Sequence, residues 1–464
     1  MDKVHSLIDS DFDALVEDLA ALLRIRSVFE ESCRTDEHPF GQDVTAALDK
    51  FLEIAAQLGF RTKNVDNMVG YAEIGSGPLF GVLAHLDVVP EGKAELWRFP
   101  PYGGVVSDGK LYGRGTTDDK GPAVSALYAL KALRDSGAAL SRRFRLIVGL
   151  DEESGFRCIE RYKKTEEIPE AGFSPDADFP VVNGEKGTIR FTLSKAVGGH
   201  NAKGLPELVS LSGGTRVNVV PDEARAFFKG AGAGNLEKIF LPVGASVTNE
   251  GGGVLVVING VAAHAMEPWK GENAIYKFLS RVDELDFGPA SVHAELLKLR
   301  GLFNGETTGE SLGIACRDDI SGPLSCNLAI ISLGGGRLTV KCDVRYPVTA
   351  DGQSVLDGIA SAAERIGWEL EILESKKPLY VQPDSDLVRT LLDAYEAVTG
   401  ERGEPFSIGG GTYCRAMPNA VSFGGHFPGE EELAHQANEY VTLDSLRKMT
   451  HVYAEALARF NGNI

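Results

Sequence analysis

The chain has 464 residues, 43% of them hydrophobic and 24% charged, with a net charge of −19. This mixture suits a soluble globular protein with a large core, and the length allows about three domains' worth of chain or fewer large ones. The negative charge argues against nucleic acid and anionic membranes as partners, because both need a basic surface; no apolar run approaches the roughly 18 residues of a membrane helix.

The N-terminal stretch "MDKVHSLIDSDFDALVEDL" is acidic and lacks the basic start and apolar segment of a signal peptide, so a cytoplasmic location is expected. Six scattered cysteines, with no C-x-x-C pair, read as reduced thiols and not as a disulfide framework or zinc knuckle. Helical periodicity runs over 12–25 and 44–58, where Gly59 supplies a stop. Two short apolar runs, "PLFGVLAH" and "RFRLIVGLDEE", read as central strands buried on both faces. Between them "GPAVSALYALKALRDSG" reads as a helix, with Pro122 near its start and Gly137 at its end. Strand, helix, strand predicts a mostly parallel α/β sheet flanked by helices, with ligands gathering at the strands' carboxyl ends.

From about residue 188 the texture changes. "TIRFTLSKA", "RVNVVPDEARAFF" and "GVLVVINGVAAH" alternate like half-exposed strands, and "LSCNLAIISLGGGRLTVKCDVRYPV" reads as a hairpin turning at Gly334–Gly336. Helices are expected near 272–285 and 353–366, then at 386–399 and 442–460. The pattern predicts a large inserted α+β lid domain at 187–380, built as one body or two subdomains, within a first domain made of 1–186 and 381–464.

Acidic and histidine residues crowd the predicted strand ends and loops: His85, Asp87, Asp118, Asp119, Asp151, Glu152, Glu153, Asp176, Asp178 and His435. Singly, a strand-end histidine is usually structural and a loop carboxylate usually solvated. Together, so many carboxylates beside buried segments need protons or cations, and Arg114 and Lys120 cannot neutralise them all. Oxygen and imidazole donors suit zinc, with manganese or cobalt as alternatives.

Five motifs in order, "HLDVVPEG", "GRGTTDDKG", "DEESG", "SPDADFP" and "HQANEY", resemble the co-catalytic zinc metallopeptidase family of aminoacylases, glutamate carboxypeptidases, succinyl-diaminopimelate desuccinylases and carnosinases, and most closely its bacterial dipeptidases. The resemblance runs from "LLRIRSV" to "ANEYV". It implies two divalent metal ions, His85 binding one, His435 the other, and Asp118 bridging both. Glu153 and Asp176 complete the two sites, Asp176 being preferred to Asp178 because it follows the proline. Asp87 would orient His85, and Glu152 would be the general base acting on a water shared by the metals, whose pKa they lower. His264 would stabilise the carbonyl oxygen, Arg345 would clamp a substrate carboxylate, Asn218 would contact substrate, and the 409–424 loop, with Gly410 and Thr412, would line its site. Without the resemblance, His264 reads as a capped strand end, Arg345 as a surface strand arginine, and the glycine run as a turn.

The resulting expectation is a metal-dependent dipeptidase acting on unblocked dipeptides. The alternatives are an N-acyl-amino-acid deacylase or a desuccinylase, or, in another class, a catalytically silent metal-stabilised binding protein. A monomer is expected, since an enlarged lid can replace a dimer partner; a dimer is the alternative.

Overall fold

The structure is a computed structural model and describes residues 1–198 and 205–462. Two compact units emerge. One comprises Met1–Gly184, Tyr380–Phe406 and Gly411–Ile464, and the other Glu185–Leu379 with Ser407–Gly410. The short second segment, 407–410, departs from a simple insertion at 187–380.

In the first unit, a sheet runs in the order Arg61–Val65, Val69–Gly75, Arg143–Gly149, Leu79–His85, Ala171–Ser174 and Ala420–Ser422. The last four of these are mutually parallel, while the first two are antiparallel additions, so the sheet is mixed, with a parallel centre. Leu79–His85 is buried at every position, as its unbroken apolar run requires, and His85 sits at its carboxyl end opposite Gly149.

The helix Lys120–Asp135 is buried over nearly its whole length and packs against the helices Asp2–Leu23 and Leu443–Phe460. Its start is a close approach: a Cβ on Gly121 would lie 2.1 Å from the Thr116 carbonyl oxygen, so only glycine fits there. The first helix starts at Asp2, earlier than expected, because Val4 and Ile8 extend the inward stripe of Phe12, Leu15 and Leu19.

Among the described residues, the second unit is built around an eight-stranded antiparallel sheet. Its order is Ala245–Glu250, Gly253–Asn259, Glu223–Lys229, Glu207–Gly213, Ser325–Gly334, Arg337–Tyr346, Gly187–Ala196 and Glu369–Lys376. The hairpin of Ser325–Gly334 and Arg337–Tyr346 turns through Gly335 and Gly336, both at positive φ. Two expected strands are shorter than predicted. Pro221, which has no N–H to give a ladder, precedes the start at Glu223, and at Gly260 a Cβ would meet the Glu272 carbonyl at 2.1 Å. Helices Ala274–Leu279, Ala290–Phe303 and Gly352–Ile366 contribute apolar faces to this unit's core; the second of them was not anticipated.

Candidate metal centre

Every residue proposed as a metal ligand lies in the first unit, and the fold brings them together in two groups that share one member. His85, Asp118 and Asp176 form one group and Asp118, Glu153 and His435 the other, one ligand atom from each residue lying within 4.8 Å of the rest. Asp118 faces both ways: its Oδ1 is 2.9 Å from His85 Nε2 and its Oδ2 is 2.8 Å from His435 Nε2. Glu153 Oε1 stands 3.1 Å from His435 Nε2, and Asp176 Oδ2 stands 3.7 Å from His85 Nε2. Asp178 points elsewhere, to His426 Nδ1 at 3.2 Å.

The histidine at the strand end is locked. Its backbone N–H donates to Asp119 Oδ2 at 3.1 Å, and its Nδ1 lies 2.9 Å from the backbone carbonyl of Asp87. The Asp87 carbonyl thus faces His85 Nδ1, with one carboxylate oxygen 3.6 Å from the same nitrogen; the carboxylate also accepts the N–H groups of Glu152 and Glu153, at 3.2 and 3.1 Å, and so shapes the turn that presents them. Asp151, the third acid of that triplet, is engaged by Arg157 through two side-chain bonds of 2.8 and 2.9 Å and belongs to neither group. The Asp118–Asp119 peptide is cis.

With Nδ1 donating to a carbonyl, Nε2 is the ring nitrogen left to take a proton or a metal cation. That atom is fully buried and makes no hydrogen bond of proper geometry, although two carboxylates lie beside it. Carboxylates crowded around a ring nitrogen draw a proton or a metal cation to it. The nearby cations are used elsewhere: Lys120 Nζ donates to the carbonyls of Leu22 and Ile25, and Arg114 to Glu439. Two imidazoles and the carboxylates of Asp118, Glu153 and Asp176 therefore fit divalent metal.

The electrostatics agree. Burial pushes the Asp118 carboxyl up, but neighbouring His435 and His85 outweigh it and hold it well below the usual range. Burial pulls His435 down, yet Asp118 and Glu153 carry it up to about 11. Burial and the charge of Asp176 push Glu152 well up, and burial with Asp118 raises Asp176 to about 7. The cluster draws positive charge.

The remaining predicted residues divide between the units. Thr412, in the first, bonds Ser422 Oγ at 3.0 Å and caps the turn at Tyr413. In the second, Asn218 and His264 are neighbours: Val219 pairs with His264 in an isolated bridge, and the Asn218 carbonyl accepts the Ala265 N–H at 2.9 Å. His264 Nδ1 accepts from Met266 N–H at 3.1 Å and the residue is exposed. A Cβ on Gly410 would make an ordinary contact with Ile408 Cδ1 at 3.6 Å. Arg345 is not a surface arginine; it is 6% exposed and bonded to Asp343, Thr188 and the Gly409 carbonyl. Tyr413 was missed: its hydroxyl occupies the space a Cβ on Gly149 would take and lies 2.9 Å from Cys158 Sγ, while its ring meets that of His85 edge-on at 6.3 Å.

The profile of Peptidase family M20/M25/M40 matches residues 81–459. The chain belongs to this family. Among M20 relatives, a Bacillus subtilis (strain 168) protein named "Putative dipeptidase YtjP" is 39% identical over 456 residues, covering 96% of each chain. Among solved structures, human carnosine dipeptidase 1 superposes with a TM-score of 0.61 at 17% identity, covering 99% of this chain and 98% of its own. The di-peptidase Dug1p from Saccharomyces cerevisiae gives 0.60 at 15% identity, with the same coverage. The M20 chain is thus a metallopeptidase-family hydrolase with the α/β fold and second sheet unit of these neighbours. No helix among its described residues is long and apolar enough to cross a membrane.

Proposed function

We propose that this protein is a cytoplasmic, two-metal dipeptidase that hydrolyses unblocked dipeptides. The observation that carries the reading is the two-sided carboxylate of Asp118, with His85 and Asp176 on one side and His435 and Glu153 on the other. Relatives named as dipeptidases over nearly the whole chain support the substrate class. Four cysteines buried as thiols, Cys158, Cys326, Cys342 and Cys414, suit a reducing compartment.

Divalent ions held by His85, Asp118, Asp176, Glu153 and His435, most simply Zn²⁺, supply charge that acidifies a water and polarises a carbonyl. Glu152 accepts a proton from the attacking water and returns it to the leaving nitrogen. From the second unit, His264 stabilises the negative charge that develops on the carbonyl oxygen, and Asn218 contacts the substrate. Gly410 and Thr412 line its path. Arg345 binds the substrate's terminal carboxylate. Asp343 holds the Nε–Nη2 edge of that guanidinium, so the carboxylate meets the Nη1–Nη2 end, displacing the Thr188 hydroxyl and the Gly409 carbonyl from Nη1. The test is hydrolysis of a panel of free dipeptides, N-acyl amino acids and N-succinyl diamines by chelated and metal-reloaded protein. Preference for a blocked substrate would make the protein a deacylase or desuccinylase, and silence towards all of them with metal bound would make it a binding protein.

A further inference from the structure

Glu439 lies four residues beyond His435, in the "HQANEY" motif, and is fully buried. Its carboxylate gathers the loop that ends at Asp118. Oε1 accepts the N–H groups of Gly115 and Thr117, each at 3.0 Å, and the Thr117 hydroxyl at 3.0 Å. Oε2 accepts Arg114 Nη1 at 2.6 Å. The Glu439 carbonyl also accepts the Gly113 N–H at 3.0 Å, and the next residues, Tyr440–Thr442, pair with Lys110–Tyr112. Arg114 is 2% exposed, stacks over Trp97 and has its other amino group 3.4 Å from the Pro90 carbonyl, so it cannot leave to follow another anion.

Two backbone N–H groups turned inward must find an acceptor, and a charged one binds them about twice as strongly as a neutral one. One carboxylate here meets both and neutralises a buried guanidinium. The loop so held delivers Asp118, the residue common to both ligand groups, and the carboxylate that holds it sits on the segment that delivers His435. The two segments come from distant parts of the first unit's chain, and both His435 and Asn438 are in the left-handed region, a conformation that persists where surrounding contacts enforce it.

We propose that Glu439 is a positioning residue for the metal centre: through the 113–117 loop it fixes the distance between Asp118 and His435, and it thereby sets metal affinity without touching metal or substrate. The proposal rests on the two-metal reading above. Groups that orient ligands from behind typically change metal affinity by about 10–100-fold when altered.

The test is Co²⁺ titration of metal-free protein, followed by calorimetry and visible absorption, with thermal unfolding of the same metal-free samples. Glu439→Gln is compared with Glu73→Gln, which breaks another buried pair, with Arg145, away from the centre. The expected result is a Co²⁺ affinity at least about tenfold weaker and an altered cobalt spectrum for Glu439→Gln, with wild-type affinity and spectrum for Glu73→Gln at a similar loss of Tm. Equal affinities in the two variants would overturn the proposal. If Glu439→Gln does not fold, Thr117→Val decides, since it removes only the hydroxyl bond: weaker Co²⁺ binding at unchanged Tm supports the proposal, and wild-type binding overturns it. Wild-type protein that takes up no Co²⁺ would instead refute the two-metal reading.

Discussion

Asp343 holds Arg345 by two parallel bonds, Nε to Oδ1 at 2.5 Å and Nη2 to Oδ2 at 3.0 Å, and both side chains are buried. Such a fork fixes the guanidinium plane, and a substrate carboxylate would meet its far end by displacing Thr188 and the Gly409 carbonyl from Nη1. Arg345→Met should therefore lower kcat/KM on a free dipeptide by roughly 2–5 kcal/mol of transition-state stabilisation, the range for breaking a buried charge pair. The C-terminally amidated dipeptide, already poor, should lose little more. Kinetics on the two substrates check this; equal losses on both would remove the clamp.

The same aspartate gives a pH signature. Burial pushes Asp343 up, but Arg345 and then Arg190 outweigh it, so its carboxyl titrates below the usual range. A carboxyl depressed in the folded state stabilises fully above its unfolded value, near 3.9, and that contribution is lost as pH falls through the folded value. Asp343→Asn should lower Tm at pH 7, and the gap from wild type should narrow between about pH 5 and pH 3. A gap independent of pH would show that the charge contributes nothing.

Asp118 serves both ligand groups. Asp118→Ala should abolish binding at both sites together, leaving metal content near zero by elemental analysis. Asp119→Ala removes only the acceptor for the His85 N–H and should retain metal with weakened affinity. Retention of one full equivalent by Asp118→Ala would rule out a bridge.

Gly121 tests the loop from its other side. Gly121→Ala forces a Cβ against the Thr116 carbonyl. Overpacking of this kind costs about 1–3 kcal/mol, to be measured by urea unfolding of the metal-free protein. No loss would mean the loop relaxes freely, contrary to its dense hydrogen bonding.

How much of this was legible in the sequence depended on the range of the interactions. Continuous burial wrote itself into "LFGVLAH", and the acidic motifs at strand ends marked the centre, because a strand's carboxyl end and the turn after it are short-range matters. The fork between Asp343 and Arg345 is also local, two residues apart, but an alternating strand reads as half-exposed, and only the packed sheet shows that both residues face inward. That the Asp87 carbonyl comes within 2.9 Å of His85 Nδ1 is a matter of φ and ψ, which no residue type reveals. The role of Glu439 depends on a contact across more than three hundred residues, so a glutamate beside an asparagine carried no signal of it. The helix Ala290–Phe303 has apolar spacing at Val292, Leu296, Leu299 and Phe303, but Pro289 and Gly301 within the same window masked it.

The central claim is that metal held by these ligands and a proton carried by Glu152 together cleave a free dipeptide. One measurement tests both: turnover of an unblocked dipeptide by wild type and Glu152→Gln, each stripped of metal and then reloaded with Zn²⁺ or Mn²⁺, with metal content determined on the same samples. Stripped wild type should be inactive, reloading should restore it with two metal equivalents, and Glu152→Gln should bind the same two equivalents while its turnover falls by about 10²–10⁴-fold, the usual contribution of a general base. Full turnover by the stripped protein, or by metal-loaded Glu152→Gln, would contradict the claim.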